Sequence, residues 1–336
     1  MIAPRPDFAH LRRLTDDTGL FEHARHATAR RAHGYCTDDV ARGLVVTCRQ
    51  PDPDQSVLGL AEVYLTFLCH AQDKSGAFHN RLGFDRQWQD PAGLGDWWGR
   101  ALWGLGTAAA HSPLPWLRTE ALCAFALGAA QRSADPHAMA FAGLGAAQVL
   151  HRYPEDTAAA SLLADAAATV SVLPADPAWP WPVKRLTYAN AALAEVVILA
   201  GHVAKDQLLL GRGLVMLKWL HTVQSGPDGL SVIPAGGWNL GEERGDRDQQ
   251  PIEVAALADA YATAFAVTGD PVWQTYLQQA VSWFCGNNDT ATVMWDPSTH
   301  GGYDGLTPEG PNLNQGAEST LAFLSTMQHA QRMAPI

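Results

Sequence analysis

The sequence predicts an all-α fold, a closed ring of six inner and six outer helices with short β-hairpins in its loops, on three observations. A polar cluster rich in acids or amides precedes or opens an Ala/Leu-rich helical run six times: Thr37-Asp38-Asp39, Gly95-Asp96-Trp97-Trp98, Asp135-Pro136-His137, Thr187-Tyr188-Ala189-Asn190, Gln249-Gln250-Pro251-Ile252-Glu253 and Asn314-Gln315-Gly316-Ala317-Glu318. Measured between Asp38, Asp96, His137, Asn190, Glu253 and Glu318, the intervals are 58, 41, 53, 63 and 65 residues, each with room for one more helix and a loop. Amphipathic runs fill those intervals. Recurrence of this kind sets all the polar helix starts around one mouth, where carboxylates, amides and aromatic rings face a single pocket.

Taken in order, the segment 8–33 is the first outer element, and outer helices follow near 56–72, 114–132, 155–172, 205–224 and 271–285. In the 205–224 run, Leu208, Leu209, Leu210, Leu214, Leu217, Leu220 and His221 recur at the three/four spacing of one buried stripe. The inner helices read differently. Ala191 to Ala200 and Ala255 to Ala260 are small and apolar on nearly every face, as expected of helices packed on all sides. Gly201, Gly269 and Gly286 stand where C-terminal caps are expected. Asp/Gly turns at 70–78, 224–230 and 296–305 lead into hairpins. Two long loops, 79–95 and 231–250, have the length of functional loops.

At 336 residues the chain is longer than a typical domain. Its repeat nevertheless runs without a linker or charge block, so residues 1–336 are read as a single domain. A net charge of −11 and a pI near 5.5 argue against nucleic acid or an anionic membrane as partner. The five cysteines form no C-x-x-C pair, which suits reduced, structural thiols. Met1-Ile2-Ala3-Pro4-Arg5-Pro6-Asp7 lacks a basic segment followed by an apolar one, so no signal peptide is expected. The longest apolar run is broken by Glu195 and is too short to span a bilayer. A cytoplasmic protein is the expectation.

This organisation resembles the (α/α)6 toroids, which house glycoside hydrolases and phosphorylases, polysaccharide lyases, sugar epimerases of the N-acylglucosamine 2-epimerase type and triterpene cyclases. More narrowly, Thr37-Asp38-Asp39-Val40-Ala41-Arg42-Gly43-Leu44, Gly99-Arg100-Ala101-Leu102-Trp103, Gln249-Gln250-Pro251-Ile252-Glu253 and Asn314-Gln315-Gly316-Ala317-Glu318-Ser319-Thr320 are similar to bacterial domains associated with glycosyltransferases and mannoside-processing enzymes. That resemblance assigns no catalytic residue, and a fold alone does not give a function.

The site is therefore argued from residue chemistry. Asp96, Glu253 and Glu318 are the candidate catalytic acids. Asp96 precedes Trp97, Trp98 and Arg100, and two indoles at a polar helix start suit the apolar faces of sugars better than a core. Trp179, Trp181, Trp238 and Trp295 are further loop candidates, while Trp219 and Trp283 read as core. Glu253 and Glu318 follow side-chain amides (Gln249 and Gln250; Asn312, Asn314 and Gln315) with no evident structural duty, whereas sugar hydroxyls need such donors and acceptors. Each acid is equally explained as a capping residue at a helix N-terminus. Asp38 and Asp39 divide between capping and substrate contact, with Arg42 one turn on and placed to pair with Asp38. His137, Tyr188, Asn190 and Asp304 complete the candidate substrate-binding set.

Glycoside cleavage needs one protonated and one ionised carboxyl group, ~5 Å apart for retention and ~6.5–9.5 Å for inversion. Acids on different inner helices suit inversion, with water or phosphate as acceptor and an oligosaccharide as substrate. The alternative is a sugar epimerase or isomerase that moves a proton next to a carbonyl, using His23, His26, His33 or His137. A non-catalytic carbohydrate-binding toroid is the third reading. A triterpene cyclase would want an apolar cavity, which Gln, Asn and Arg at the mouth deny. No compact metal-ligand motif and no phosphate-binding glycine loop appears, so no metal or cofactor is expected.

Overall fold

A computed structural model describes residues 3–171, 176–226, 229–245 and 248–333. The helices are α1 (Ala9–Arg13), α2 (Thr37–Arg49), α3 (Gln55–Ala71), α4 (Asp96–His111), α5 (Pro115–Gly128), α6 (Pro136–Arg152), α7 (Thr157–Val170), α8 (Ala191–Ala204), α9 (Gln207–Val223), α10 (Pro251–Thr268), α11 (Val272–Phe284) and α12 (Ala317–Met333). Strands among the described residues are two or three residues long and pair into small hairpins. The chain divides into two compact units. One comprises Leu11–Ala24 and Thr28–Thr169, the other Met1–His10, Arg25–Ala27 and Val170–Ile336.

In the first unit α4 lies between α2 and α6, with α3 behind α2 and α5 behind α4. Backbone meets backbone here. A Cβ on Gly145 of α6 would collide with the Leu102 carbonyl of α4, and one on Gly106 would collide with the Gly145 carbonyl. Every residue of α4 from Trp98 to Ala110 is buried, which is why the helix needs small residues on all faces. In the second unit α10 lies between α8 and α12, with α9 behind α8 and α11 behind α10.

Carboxylates open α3, α6 and α9, where Asp54, Asp135 and Asp206 accept N-terminal backbone N–H groups. Gly269 caps α10 in the left-handed conformation, at φ 69°. Gly201 does not end its helix. α8 runs on to Ala204 and is capped by Lys205, because Gly201 serves to admit the backbone of Leu210 from α9. The stripe on α9 also shifts: Gly213, Met216, Leu217, Leu220 and His221 are buried, while Leu208 lies in solvent at the helix start.

The first predicted outer element is α-helical only over Ala9–Arg13, with a single 3-10 turn at Arg31–His33. Asp16 ends it by accepting the N–H groups of Thr18 and Gly19, a tight turn that no helix accommodates. Leu11, Leu14 and Leu20 still bury their side chains, so the segment packs without being a full helix. Of the turn predicted at 224–230, Pro227 and Asp228 lie outside the described residues, and Ser225–Gly226 pairs with Gly229–Leu230.

Candidate functional site

The first unit gathers one charged cluster. Tyr35–Cys36 pairs antiparallel with Arg81–Leu82, and this hairpin delivers the chain to α2. Thr37 closes the junction by donating its hydroxyl to the His79 carbonyl at 2.7 Å. Cys36 occupies the N-cap without a side-chain capping bond. Asp38 and Asp39 therefore sit inside the first turn, and neither is the cap residue. Asp39 is 2% exposed and accepts from Arg42 Nη2 at 2.7 Å. Asp38, expected to pair with Arg42, also feels that guanidinium, which favours its ionised form.

Asp38 also faces α4. Its Oδ1 lies 3.5 Å from Arg100 Nε, and Asp96 Oδ2 lies 3.9 Å from the same nitrogen. Arg100 is 3% exposed, with its guanidinium carbon 3.9 Å from the centre of the Phe141 ring on α6. Neither contact is a hydrogen bond, and Asp38 Oδ1 is buried with no hydrogen-bond partner. Its other oxygen accepts from the Cys36 thiol at 3.5 Å. Burial pushes the Asp38 carboxyl above the ordinary aspartate range, against the pull of Arg100 and Arg42, and the nearby Asp96 adds to the rise. Asp96 occupies the first residue of α4 and is half-buried, with Gly95 as the cap.

The tryptophans beside Asp96 have structural work. Trp98 is fully buried and donates to the Gly128 carbonyl, so the expectation of two sugar-facing indoles is corrected. Trp97 is half-buried, lies over Gly95 and donates to the Phe78 carbonyl at 2.6 Å. His137 is buried at the start of α6, whose cap is Asp135.

In the second unit Glu253 is 1% exposed and saturated with donors. Its Oε2 accepts the Asn190 N–H at 3.1 Å. Its Oε1 accepts from Asn190 Nδ2 at 3.0 Å and Gln224 Nε2 at 2.8 Å. A residue in the first turn of α10 thus caps the start of α8. Burial raises the Glu253 carboxyl, and the same donors pull it back. Of the amides expected to be free for substrate, Gln249 is occupied. Gln249 accepts from the Val232 N–H and the Trp283 indole and donates to Asp289, and Gln224 accepts from the Ile233 N–H.

Asp304 caps α12, accepting from the Gly316 N–H at 2.7 Å and the Ser319 hydroxyl at 2.6 Å. Gln315 is buried between the Thr299 hydroxyl and Asp296, and Asn314 accepts the His26 N–H. Glu318 stands half-buried in the first turn of α12. Gln250 caps α10 without a side-chain bond, and Tyr188 is 37% exposed. Trp179 and Trp181 are buried against Trp219, and Trp238 joins Trp179 at 5.5 Å, half-buried. Trp295 stacks on Phe323 at 5.3 Å.

Sequence reasoning passed over Cys36, Arg81, Glu22 and Phe141 as parts of the first cluster. Cys36 abuts the Thr37-Asp38-Asp39 motif and was open to notice; Glu22 and Phe141 come from distant elements. The Glu22, Cys36 and Asp39 ligand atoms all lie within 4.8 Å of one another. Glu22 is paired with Arg81 and Asp39 with Arg42, so guanidinium groups already supply the positive charge a metal would bring.

Neither a protein-family model nor a curated protein matches the chain. Among solved structures, a sugar epimerase from a ruminal bacterium superposes with a TM-score of 0.75 at 11% identity, covering 98% of this chain and 96% of that one. Cellobiose 2-epimerase from Bacillus thermoamylovorans gives 0.71 at 9% identity over 97% and 96%. The GH76 α-mannanase of Bacteroides thetaiotaomicron gives 0.65 at 11% identity over 97% and 94%. At these identities the likeness establishes the fold: the chain is an (α/α)6 toroid.

Proposed function

We propose that the chain is a carbohydrate-active enzyme that cleaves a glycosidic bond in an oligosaccharide, with Asp38 as general acid and Asp96 as its ionised partner. The observation that carries this reading is Asp38 Oδ1, a buried carboxyl oxygen with no hydrogen-bond partner, set against an arginine that also touches a second aspartate. Buried polar atoms are nearly always satisfied, and an orphan in a polar cluster points to a proton or a ligand as its partner. Burial favours the protonated form of Asp38, the state a general acid needs. Asp96, in the first turn of α4, stands across the Arg100 guanidinium from Asp38.

In this mechanism Asp38 gives its proton to the glycosidic oxygen as the bond from C1 to that oxygen breaks. Asp96 takes a proton from the water whose oxygen bonds to C1. Two oxygens 3.5 and 3.9 Å from one nitrogen are no farther apart than those distances laid end to end. That limit admits the lower part of the ~6.5–9.5 Å inverting range. Inversion is the expected outcome, since the acids stand on different helices and lean on a guanidinium instead of on each other. Glu253 is assigned to holding the start of α8.

The test is turnover of a panel of mannoside and glucoside oligosaccharides, with the product anomer read by proton NMR. Asp38→Asn and Asp96→Asn are each expected to lower kcat at least ~100-fold with unchanged circular dichroism. Wild-type turnover in both variants would sink the assignment. A second reading, a sugar epimerase or isomerase, is supported by the printed names of two of the structural neighbours and by the His23 and His33 rings, edge to face at 4.8 Å. Under that reading the NMR spectrum shows a substrate changed at one carbon with its glycosidic linkage intact.

A further inference from the structure

We propose that Arg100 is a positioning residue: clamped on the Phe141 ring, it sets the spacing of the Asp38 and Asp96 carboxyl groups and the pH at which Asp38 gives up its proton. The inference rests on the reading of that pair as the working acids, and it goes further by naming the group that tunes the acid.

The geometry is specific. Arg100 is four residues after Asp96 on α4, so its side chain returns over the first turn of its own helix while also reaching across to α2. A flexible guanidinium would collapse onto one carboxylate in a bidentate pair, as Arg86 does on Asp17 at 2.9 and 2.8 Å. Arg100 does not. Its Nε makes a hydrogen bond with neither acid, and its guanidinium carbon lies 3.9 Å from the centre of the Phe141 ring, itself stacked on Trp103 at 5.8 Å. Ring and guanidinium attract each other, more so out of water.

The charged surroundings of Asp38 are few. From its own helix come Asp39 and Arg42, already paired. The preceding strand brings the Cys36 thiol, and the partner strand brings Arg81, paired with Glu22. α4 brings Arg100 and Asp96, and α6 carries the buried His137 in its first turn. On α3, Glu62 and His70 are exposed, Cys69 is half-buried, and the buried Tyr64 hydroxyl is engaged by Thr15. Arg100 is thus a cation within 4 Å of both acids, and its removal raises the proton affinity of Asp38.

The test titrates the Asp38 carboxyl by carbon-13 NMR, assigned with Asp38→Asn, in the wild-type protein, Arg100→Met and Arg100→Lys. In Arg100→Met the Asp38 midpoint is expected to rise by about one to three pH units, with Arg100→Lys in between. The alkaline limb of kcat/KM, where the general acid loses its proton, should move with it while KM changes less than about threefold, a split that a merely structural role would not produce. A midpoint in Arg100→Met within about 0.2 pH unit of wild type overturns the proposal. Where Arg100→Met does not fold, Phe141→Leu carries the test, because it frees the guanidinium and leaves its charge. There too a changed midpoint supports the role and an unchanged one overturns it. If the midpoint moves but the wild-type protein cleaves no glycoside of the panel, the positioning role stands and the hydrolase reading falls.

Discussion

At the scale of single residues, identical chemistry has gone to opposite uses. Asp38 and Glu253 are both acids in the first turn of an inner helix, and both are raised by burial. Asp38 keeps an oxygen with no donor, whereas Glu253 has a donor at every useful lone pair. A catalytic carboxyl must exchange protons and partners, and a saturated one is held still. Glu253→Gln sets an amide N–H against donors that need an acceptor and is expected to destabilise the fold by about 1–3 kcal/mol. Turnover per folded molecule should stay within a few-fold of wild type. Chemical denaturation combined with active-molecule counting checks this, and a large loss of kcat at unchanged stability would restore Glu253 to the chemistry. Sequence reasoning ranked the two acids the other way, with Glu253 as a candidate catalytic acid and Asp38 divided between capping and substrate contact. The partners of Glu253 lie 63 and 29 residues away, and the hydrogen bond from Arg42 to Asp39 is a rotamer decision that spacing leaves open.

At the scale of elements, periodicity was a good guide because burial on all sides and burial on one stripe leave different patterns in a sequence. The five outer helices predicted after the N-terminal segment begin and end close to where they were read, since capping acids and N-terminal prolines are local signals. Glycine was harder to read. Gly201, expected to end a helix, instead lets two helices touch, a role visible only once Leu210 is beside it. The distinction is measurable. Gly145→Ala drives a methyl group into the Leu102 carbonyl and is expected to cost about 1–3 kcal/mol. Gly211→Ala on α9 meets no atom within 4 Å and should stabilise by about 0.5–1 kcal/mol through helix propensity. Thermal midpoints of the two variants should move in opposite directions. A fall in both would mean that Gly211 packs more tightly than its open surroundings indicate.

At the scale of the whole molecule, stability on acidification is a contest between groups with opposite signs. His221, on α9, accepts or donates at Nδ1 with the Tyr261 hydroxyl at 2.9 Å and stacks on Tyr276 at 3.5 Å. Burial lowers it from 6.5 to about 4. The unfolded chain therefore binds this proton first, and the stability that neutral His221 contributes is lost as pH falls from 6.5 towards 4. Asp38 and Glu253 act the other way. Their raised folded values mean that protonation favours the native state, so their contribution grows as pH falls through those values. Exposed Asp54 and Asp73, both lowered by hydrogen bonds to serine, enter only below 3.8. Between pH 7 and about 4.5, the variant His221→Phe isolates the first effect, because it keeps a ring against Tyr276 and removes the proton site. The wild-type thermal midpoint should fall more steeply over this range than that of His221→Phe, whatever their offset at neutral pH. Parallel curves would show that His221 takes up its proton in the folded protein as readily as in the unfolded chain, and that acid sensitivity arises elsewhere.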